Sequence, residues 1–199
     1  VDLGRCSGIL PKDQIIPGEK LVMGSSVKVY VSKLEIGPKG PFIMLSRSHY
    51  GFVKRLLEIE IPELADGTIM LYSVARDAGS RTKIAVYTEY TNVDPLGAVI
   101  GEKGRRIANV LKELNGEKID VILYDEDPVK FIANALSPAK NVHVFITDPK
   151  KQEAMVIADD DNFSLAIGKK GSNIKLASKM TKYHIEIKSL SQINEEGNK

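Results

Sequence analysis

The chain has 199 residues, 43% of them hydrophobic and 27% charged, which excludes a disordered polyelectrolyte and fits one or more folded domains. No apolar run reaches the roughly 18 to 20 residues of a membrane helix, and the single Cys6 excludes a disulfide framework or a multi-cysteine metal site. With 28 Lys and Arg against 26 Asp and Glu the net charge is only +2, so any nucleic-acid partner must be argued from where the cations lie.

The first 50 residues read as β structure. Val1-Asp2-Leu3 resembles the end of a strand, Gly4 and Gly8 flank a turn, and Pro17-Gly18-Glu19 marks another. Val27, Val29 and Val31 alternate with Lys28, Tyr30 and Ser32, which predicts a half-buried strand. Gly37-Pro38-Lys39-Gly40-Pro41 predicts a loop, and Phe42-Ile43-Met44-Leu45-Ser46 a further strand. Three strands leave exposed edges unless something else pairs with them. The chain is therefore expected to start inside a domain, in line with the lack of an initiating Met.

From Phe52 the period changes. Phe52, Val53, Leu56, Leu57 and Ile59 predict an amphipathic helix that stops before Pro62. Strands follow at 68–74 and 83–88, separated by polar Arg76-Asp77-Ala78-Gly79-Ser80-Arg81. A short helix near 95–100 meets Gly101, and another begins at Arg105 with Ile107, Val110, Leu111 and Leu114 on one face. Gly116 ends it before a strand at 118–124. The pattern then restarts. Asp127 and Pro128 suit the N-cap and first turn of a helix at 129–136. Strands at 141–147 and 154–158, a helix at 162–167, Gly168, a helix from Ser172 and a strand at 183–188 complete the second round. The polar end is expected to fray.

An internal repeat stands behind this recurrence. Val99-Ile100-Gly101-Glu102-Lys103-Gly104-Arg105-Arg106-Ile107 aligns with Ala166-Ile167-Gly168-Lys169-Lys170-Gly171-Ser172-Asn173-Ile174, and Lys112 with Lys179, always 67 residues apart. So long a period argues for two tandem α/β domains rather than a helical solenoid. Each copy reads helix, strand, strand, helix, GxxG, helix, strand. Two glycines let the backbone turn sharply and remove the Cβ atoms that would hold a ligand away. The loop opens into a helix N-terminus, where N–H groups attract anions. Lys103, Arg105 and Arg106 surround the first loop; Lys169, Lys170, Ser172 and Asn173 surround the second. Glu102 is the exception and is expected to face solvent. Ile100 with Ile107, and Ile167 with Ile174, bracket each loop and are expected to line an apolar groove for bases. A loop that clamps the backbone beside such a groove is the physical logic of KH modules, and it selects single strands. One GxxG alone is more often a plain linker; two copies at a fixed offset reverse that reading.

At these residues the resemblance becomes specific. Ile100-Gly101-Glu102-Lys103-Gly104 and Ile167-Gly168-Lys169-Lys170-Gly171 resemble KH signatures, and the helix-first order resembles the bacterial type II arrangement. Val1-Asp2-Leu3-Gly4, Gly8-Ile9-Leu10-Pro11, 27–31 and Ile43-Met44-Leu45-Ser46-Arg47-Ser48 resemble the later part of an S1-type OB-fold. S1 followed by two KH domains is the order of the bacterial NusA family. Glu60-Ile61-Pro62-Glu63, Ala75-Arg76-Asp77, Gly79-Ser80-Arg81, Val93-Asp94-Pro95-Leu96-Gly97-Ala98 and Gly116-Glu117-Lys118-Ile119-Asp120 are similar to it as well.

The resemblance implies an α+β chain: a partial S1-type OB-fold β-barrel at 1–50, type II KH domains at 51–126 and 127–190, and a flexible tail at 191–199. It implies a transcription elongation factor that modulates pausing, termination and antitermination by holding nascent single-stranded RNA. RNA polymerase, met mainly through an N-terminal domain outside this chain, and other antitermination factors are the implied partners. Ala78 stands where the family usually has Pro. A monomeric cytoplasmic protein is expected, with no membrane, cofactor or metal.

Two rivals differ in class: the RNA-binding tail of a polynucleotide phosphorylase-like exoribonuclease, and a ribosome-associated KH protein. The former carries KH before S1, the reverse of the order here. No nucleophile constellation supports an enzyme. His49, His143 and His184 are scattered. Asp125-Glu126-Asp127 and Asp159-Asp160-Asp161 precede helix starts, where carboxylates serve the helix. Lys112, Lys175, Lys179 and Lys182 are less specific, since helix cations are commonly a solvated face. Arg47, His49 and Tyr50 suit either an RNA contact or a hinge. Gly101→Asp or Gly168→Asp is expected to weaken RNA binding while leaving the fold intact.

Overall fold

The structure is a computed structural model that describes residues 1–197; Asn198 and Lys199 lie outside the described residues. It opens with a hairpin of β1 (Tyr30–Gly37) and β2 (Gly40–Ser46), paired from Tyr30↔Ser46 to Gly37↔Gly40. The first strand therefore runs later than the valine alternation predicts. Gly40, at φ +107°, closes a tight turn after Pro38-Lys39, so the glycine-rich stretch extends the strands instead of separating them. Before the hairpin come two isolated bridges, Asp2 with Ser7 and Ile9 with Met44, and a 3-10 turn at Lys12–Gln14.

Two modules of like topology follow. The first comprises α1 (Tyr50–Glu60), α2 (Pro62–Ala65), β3 (Met70–Asp77), β4 (Arg81–Tyr87), α3 (Pro95–Ile100), α4 (Arg105–Lys112) and β5 (Lys118–Leu123). The second comprises α5 (Pro128–Ala135), β6 (Val142–Asp148), β7 (Glu153–Ala158), α6 (Asp160–Ile167), α7 (Ser172–Thr181) and β8 (His184–Ser189). In each sheet the middle strand pairs antiparallel with its predecessor and parallel with its successor. A parallel neighbour requires a crossover, and the helix–GxxG–helix segment is that crossover. Asp94 and Asp127 cap α3 and α5, each accepting from a backbone N–H two residues on, with Pro at the first helical position.

The first sheet is buried on both faces. Ile84 and Val86 face Phe52, Leu56 and Leu57 of α1, Val99 of α3 and Val110 of α4. On the other face Ala75, Ala85 and Ile122 meet Phe131, Ile132 and Leu136, with Leu176, Ala177 and Met180 of α7. Ala75 and Ala85 are small, and α7 packs directly on β3 and β4. The two modules thus share one core. At its edge Lys83 is fully buried, its Nζ donating to Asp120 Oδ2 at 2.9 Å and to Ser137 O at 2.6 Å. Burial pushes its pKa below the ordinary lysine value, against the opposing pull of Asp120.

A second polar knot ties the hairpin region to the first module. Arg76 forks onto Glu117 at 2.9 Å through two N–H groups and donates to Arg47 O and His49 O at 2.8 Å. Glu117 also accepts from Gly79 N and Thr82 Oγ1. Arg47 forks onto Glu19 and donates to Lys28 O and Glu113 O, and both guanidinium groups lie over the Phe52 ring. Arg47 is thereby a brace at the junction, and His49 caps α1. At the expected tail Leu190–Gly197 form α8, in which Ser191 donates to Asp160, and the last two tail residues lie outside the described residues. No helix among the described residues is long and apolar enough to cross a membrane.

Candidate nucleic-acid interface

The two GxxG crossovers adopt one backbone conformation. Gly101 and Gly168 stand at φ/ψ of 75/169° and 76/168°, and Gly104 and Gly171 at 72/18° and 74/17°. Between them Lys103 and Lys170 hold a left-handed conformation, φ 52° and 53°. In each loop the second glycine's N–H donates to the first glycine's carbonyl at 3.0 Å. The first glycine occupies a region that only glycine enters readily, whereas the second is in the αL region that Asn and Asp tolerate. A turn this tight, made twice with a lysine forced to left-handed φ, presents backbone and cation together.

The expected site residues fall into three groups. Glu102, Lys103, Arg105, Lys169 and Lys170 are exposed, and Ile100 is 40% exposed at the end of α3. Ile107, Ile167, Ile174 and Ser172 are half-buried, Ile107 against the first core and Ile174 against the shared one. Arg106 and Asn173 form the third group and depart from expectation. Arg106 Nη1 donates to Glu63 Oε2 and to Ala98 O, both at 2.8 Å, so its charge is neutralised within the first module. Asn173 has no exposed surface; its amide donates to Leu136 O and Ala166 O at 3.0 Å and accepts from Arg81 Nη1 at 3.4 Å. It is corrected from an RNA-facing residue to an internal strut behind the loop. Asn173→Ala is expected to cost about 1–3 kcal/mol of stability in a denaturant melt, because two buried carbonyls lose their donor.

The expectation for the first glycines also changes. A Cβ on Gly168 would stand 2.7 Å from Asn173 Cβ and 2.8 Å from its backbone N, and one on Gly101 2.7 Å from Arg106 Cγ. Substitution there deforms the loop. Nothing lies within 4 Å of a Cβ on Gly104, and the nearest atom to one on Gly171 is 3.9 Å away. The second glycines are the positions where a side chain enters open space.

Residues that support the site without a sequence signal are Arg81, Lys83 and Asp120. Arg81 lies 3.4 Å from Asp120, and Lys83 reaches across to the second module, so the first sheet props up the segment behind the second loop. The acidic runs serve local structure: Asp127 caps α5, and Asp160, whose carboxyl the Ser191 hydroxyl holds below the usual carboxylate range, anchors α8.

The family model for the NusA-like first KH domain matches residues 47–124, and that for the NusA-like second KH domain matches 128–195. A transcription termination/antitermination protein NusA of Halalkalibacterium halodurans is 48% identical over 197 residues, covering 99% of this chain and 51% of the relative. The protein of the same name from Bacillus subtilis is 47% identical, covering 99% of this chain and 53% of its own length. That of Thermus thermophilus is 45% identical, with 98% and 51% covered. The chain spans about half the length of the curated relatives it matches.

Proposed function

The chain belongs to the NusA family, and we propose that it is the region of a transcription termination and antitermination factor that grips single-stranded RNA. The observation that carries this reading is the pair of loops with matching dihedrals, each bearing exposed cations. Lys103 and Arg105 at the first loop, and Lys169 and Lys170 at the second, attract the phosphates. The bare backbone at Gly101, Gly104, Gly168 and Gly171 admits them closely. Ile100, Ile107, Ile167 and Ile174 offer branched apolar edges to the bases, while Glu102 faces solvent and Ser172 supplies a hydroxyl. Holding the nascent transcript in this way keeps it from folding into hairpins and so biases pausing and termination. RNA polymerase and other antitermination factors are the partners this role requires. The mechanism is retention without a chemical step. Module order and the named relatives favour it over the exoribonuclease tail and the ribosome-associated protein.

The double variant Gly104→Asp/Gly171→Asp tests the reading. It sets a carboxylate where phosphate approaches, in open space and in a conformation Asp adopts at modest cost. Affinity for a single-stranded oligoribonucleotide of about four nucleotides, the length one KH loop clamps, is expected to fall by roughly tenfold or more. The melting temperature should stay near that of the parent. Unchanged affinity at unchanged folding would overturn the reading.

A further inference from the structure

The twin loops share their dihedrals but not their supports. Behind the first loop stands Arg106, which donates to Ala98 O and Glu63 Oε2, so all three groups belong to the first module. Glu63 comes from α2, and among the described residues no helix separates α5 from β6 in the second module. The residue that aligns with Arg106 there is Asn173, short and uncharged. Its backing comes from the neighbouring module instead.

Asn173 uses every polar atom of its side chain. The amide hydrogens go to Leu136 O and Ala166 O at 3.0 Å, within its own module, and the oxygen accepts from Arg81 Nη1 at 3.4 Å. Among the described residues that oxygen has no other donor. Arg81 and Lys83 stand two residues apart on β4 and so share the face turned to the second module. Asp120, level with Lys83 on β5, takes Lys83 Nζ at 2.9 Å and Arg81 Nη1 at 3.4 Å, so one carboxylate sets both cations. Lys83 in turn holds Ser137 O at 2.6 Å, next to Leu136. The turn after α5 and the side chain behind the second loop are both pinned from the first sheet. Asn173 also abuts the loop itself, since a Cβ on Gly168 would lie only 2.7 Å from Asn173 Cβ. Any shift of Asn173 is therefore felt at the first glycine.

We propose that Arg81 is a positioning residue for the second GxxG loop, so that the grip of the second clamp depends on the first module while the first clamp carries its own support. As regards the ligand, the proposal rests on the RNA-binding reading above. Arg81 is spent on Asp120 and Asn173 and acts through them, without meeting phosphate.

Arg81→Leu in the whole chain removes the donor and leaves Asp120 paired with Lys83. Amide exchange reads the two loops side by side, because Gly104 N and Gly171 N each donate to the first glycine of their own loop at 3.0 Å. Exchange at Gly171 is expected to quicken roughly fivefold or more, while Gly104 stays within about twofold of the parent. The RNA arm isolates each clamp. With Gly104→Asp only the second loop is open to a single strand of about four nucleotides, and with Gly171→Asp only the first. Adding Arg81→Leu should weaken binding roughly fivefold in the Gly104→Asp background and less than about twofold in the Gly171→Asp background. The slope of log affinity against log salt should hold in both, because no phosphate contact is lost. Arg81→Lys, which keeps the charge but not the fork, should show the same one-sided pattern at smaller size, and it replaces the leucine variant if that one does not fold. Equal quickening at both glycines, or equal losses in both backgrounds, would overturn the proposal by reducing Arg81 to general stability. A salt slope flattened by about 0.7 would overturn it too, by making Arg81 a direct phosphate contact. If neither Gly→Asp variant binds RNA less well than the parent, the RNA-binding reading fails, and the exchange arm still decides whether Arg81 sets the second loop.

Discussion

Arg76→Ala is expected to lower the free energy of unfolding by about 3–5 kcal/mol, the cost of leaving a buried charge alone. The side chains of Arg76 and Glu117 are 2% and 0% exposed, so Glu117 has no water to turn to when its partner is removed. The loss is wider than one ion pair. The Arg47 and His49 carbonyls also lose their donor at the junction between the hairpin region and α1. For a chain of this size the change corresponds to a fall in melting temperature on the order of 10 °C. Arg76→Lys should recover little, because an ammonium cannot reproduce a planar fork together with two carbonyl bonds. Arg76→Met/Glu117→Gln should recover part of the loss, since no lone charge remains. A single variant that melts within a degree or two of the parent would refute the assignment of this knot as a main structural tie.

Gly168→Ala is expected to destabilise by about 2–5 kcal/mol, combining a backbone region that only glycine enters with a methyl forced against Asn173. Neither obstacle can step aside, because Asn173 is buried and hydrogen-bonded to both Leu136 and Ala166. Gly101→Ala should cost less. The atoms it meets belong to the Arg106 side chain, which is partly exposed and can swing away. Gly171→Ala, with open space around it, should cost least of the three. The order Gly168, Gly101, Gly171 in a series of denaturant melts is the signature to look for. Equal losses at Gly168 and Gly101, with a smaller one at Gly171, would mean that the twin loops are held by backbone preference alone.

The repeat and the chemistry of its loops were legible because they are local. Two glycines at fixed spacing, an isoleucine before them and cations around them need no tertiary information. The alternation of Val142, Val144 and Ile146 likewise marks β6 directly. What escaped depends on who packs against whom. Asn173 aligns with Arg106 and so reads as another polar residue of the interface, yet the first module's sheet closes over it. Lys83 falls on a strand position that alternation assigns to solvent, and only the arrival of the second module buries it. The helix α8 lacks a strong apolar stripe, and Asp160 and Gln192 supply hydrogen bonds that no local pattern announces. Arg47 suits either an RNA contact or a hinge on sequence alone, and a carboxylate 28 residues earlier in the chain makes it an internal brace, which neither reading names.

The common core beneath the two modules has one more consequence. Since Phe131 and Met180 are packed against Ala85 and Ile122, no slack linker lets one clamp drift from the other. On the RNA-gripping reading proposed above, a single strand seated in both would be gauged like wire in a fixed calliper. The second capture follows the first at high effective concentration, with little further entropy to surrender. On that reading only a stretch whose contour fits the gap would engage both jaws, and a stem forming between them would first have to prise one open.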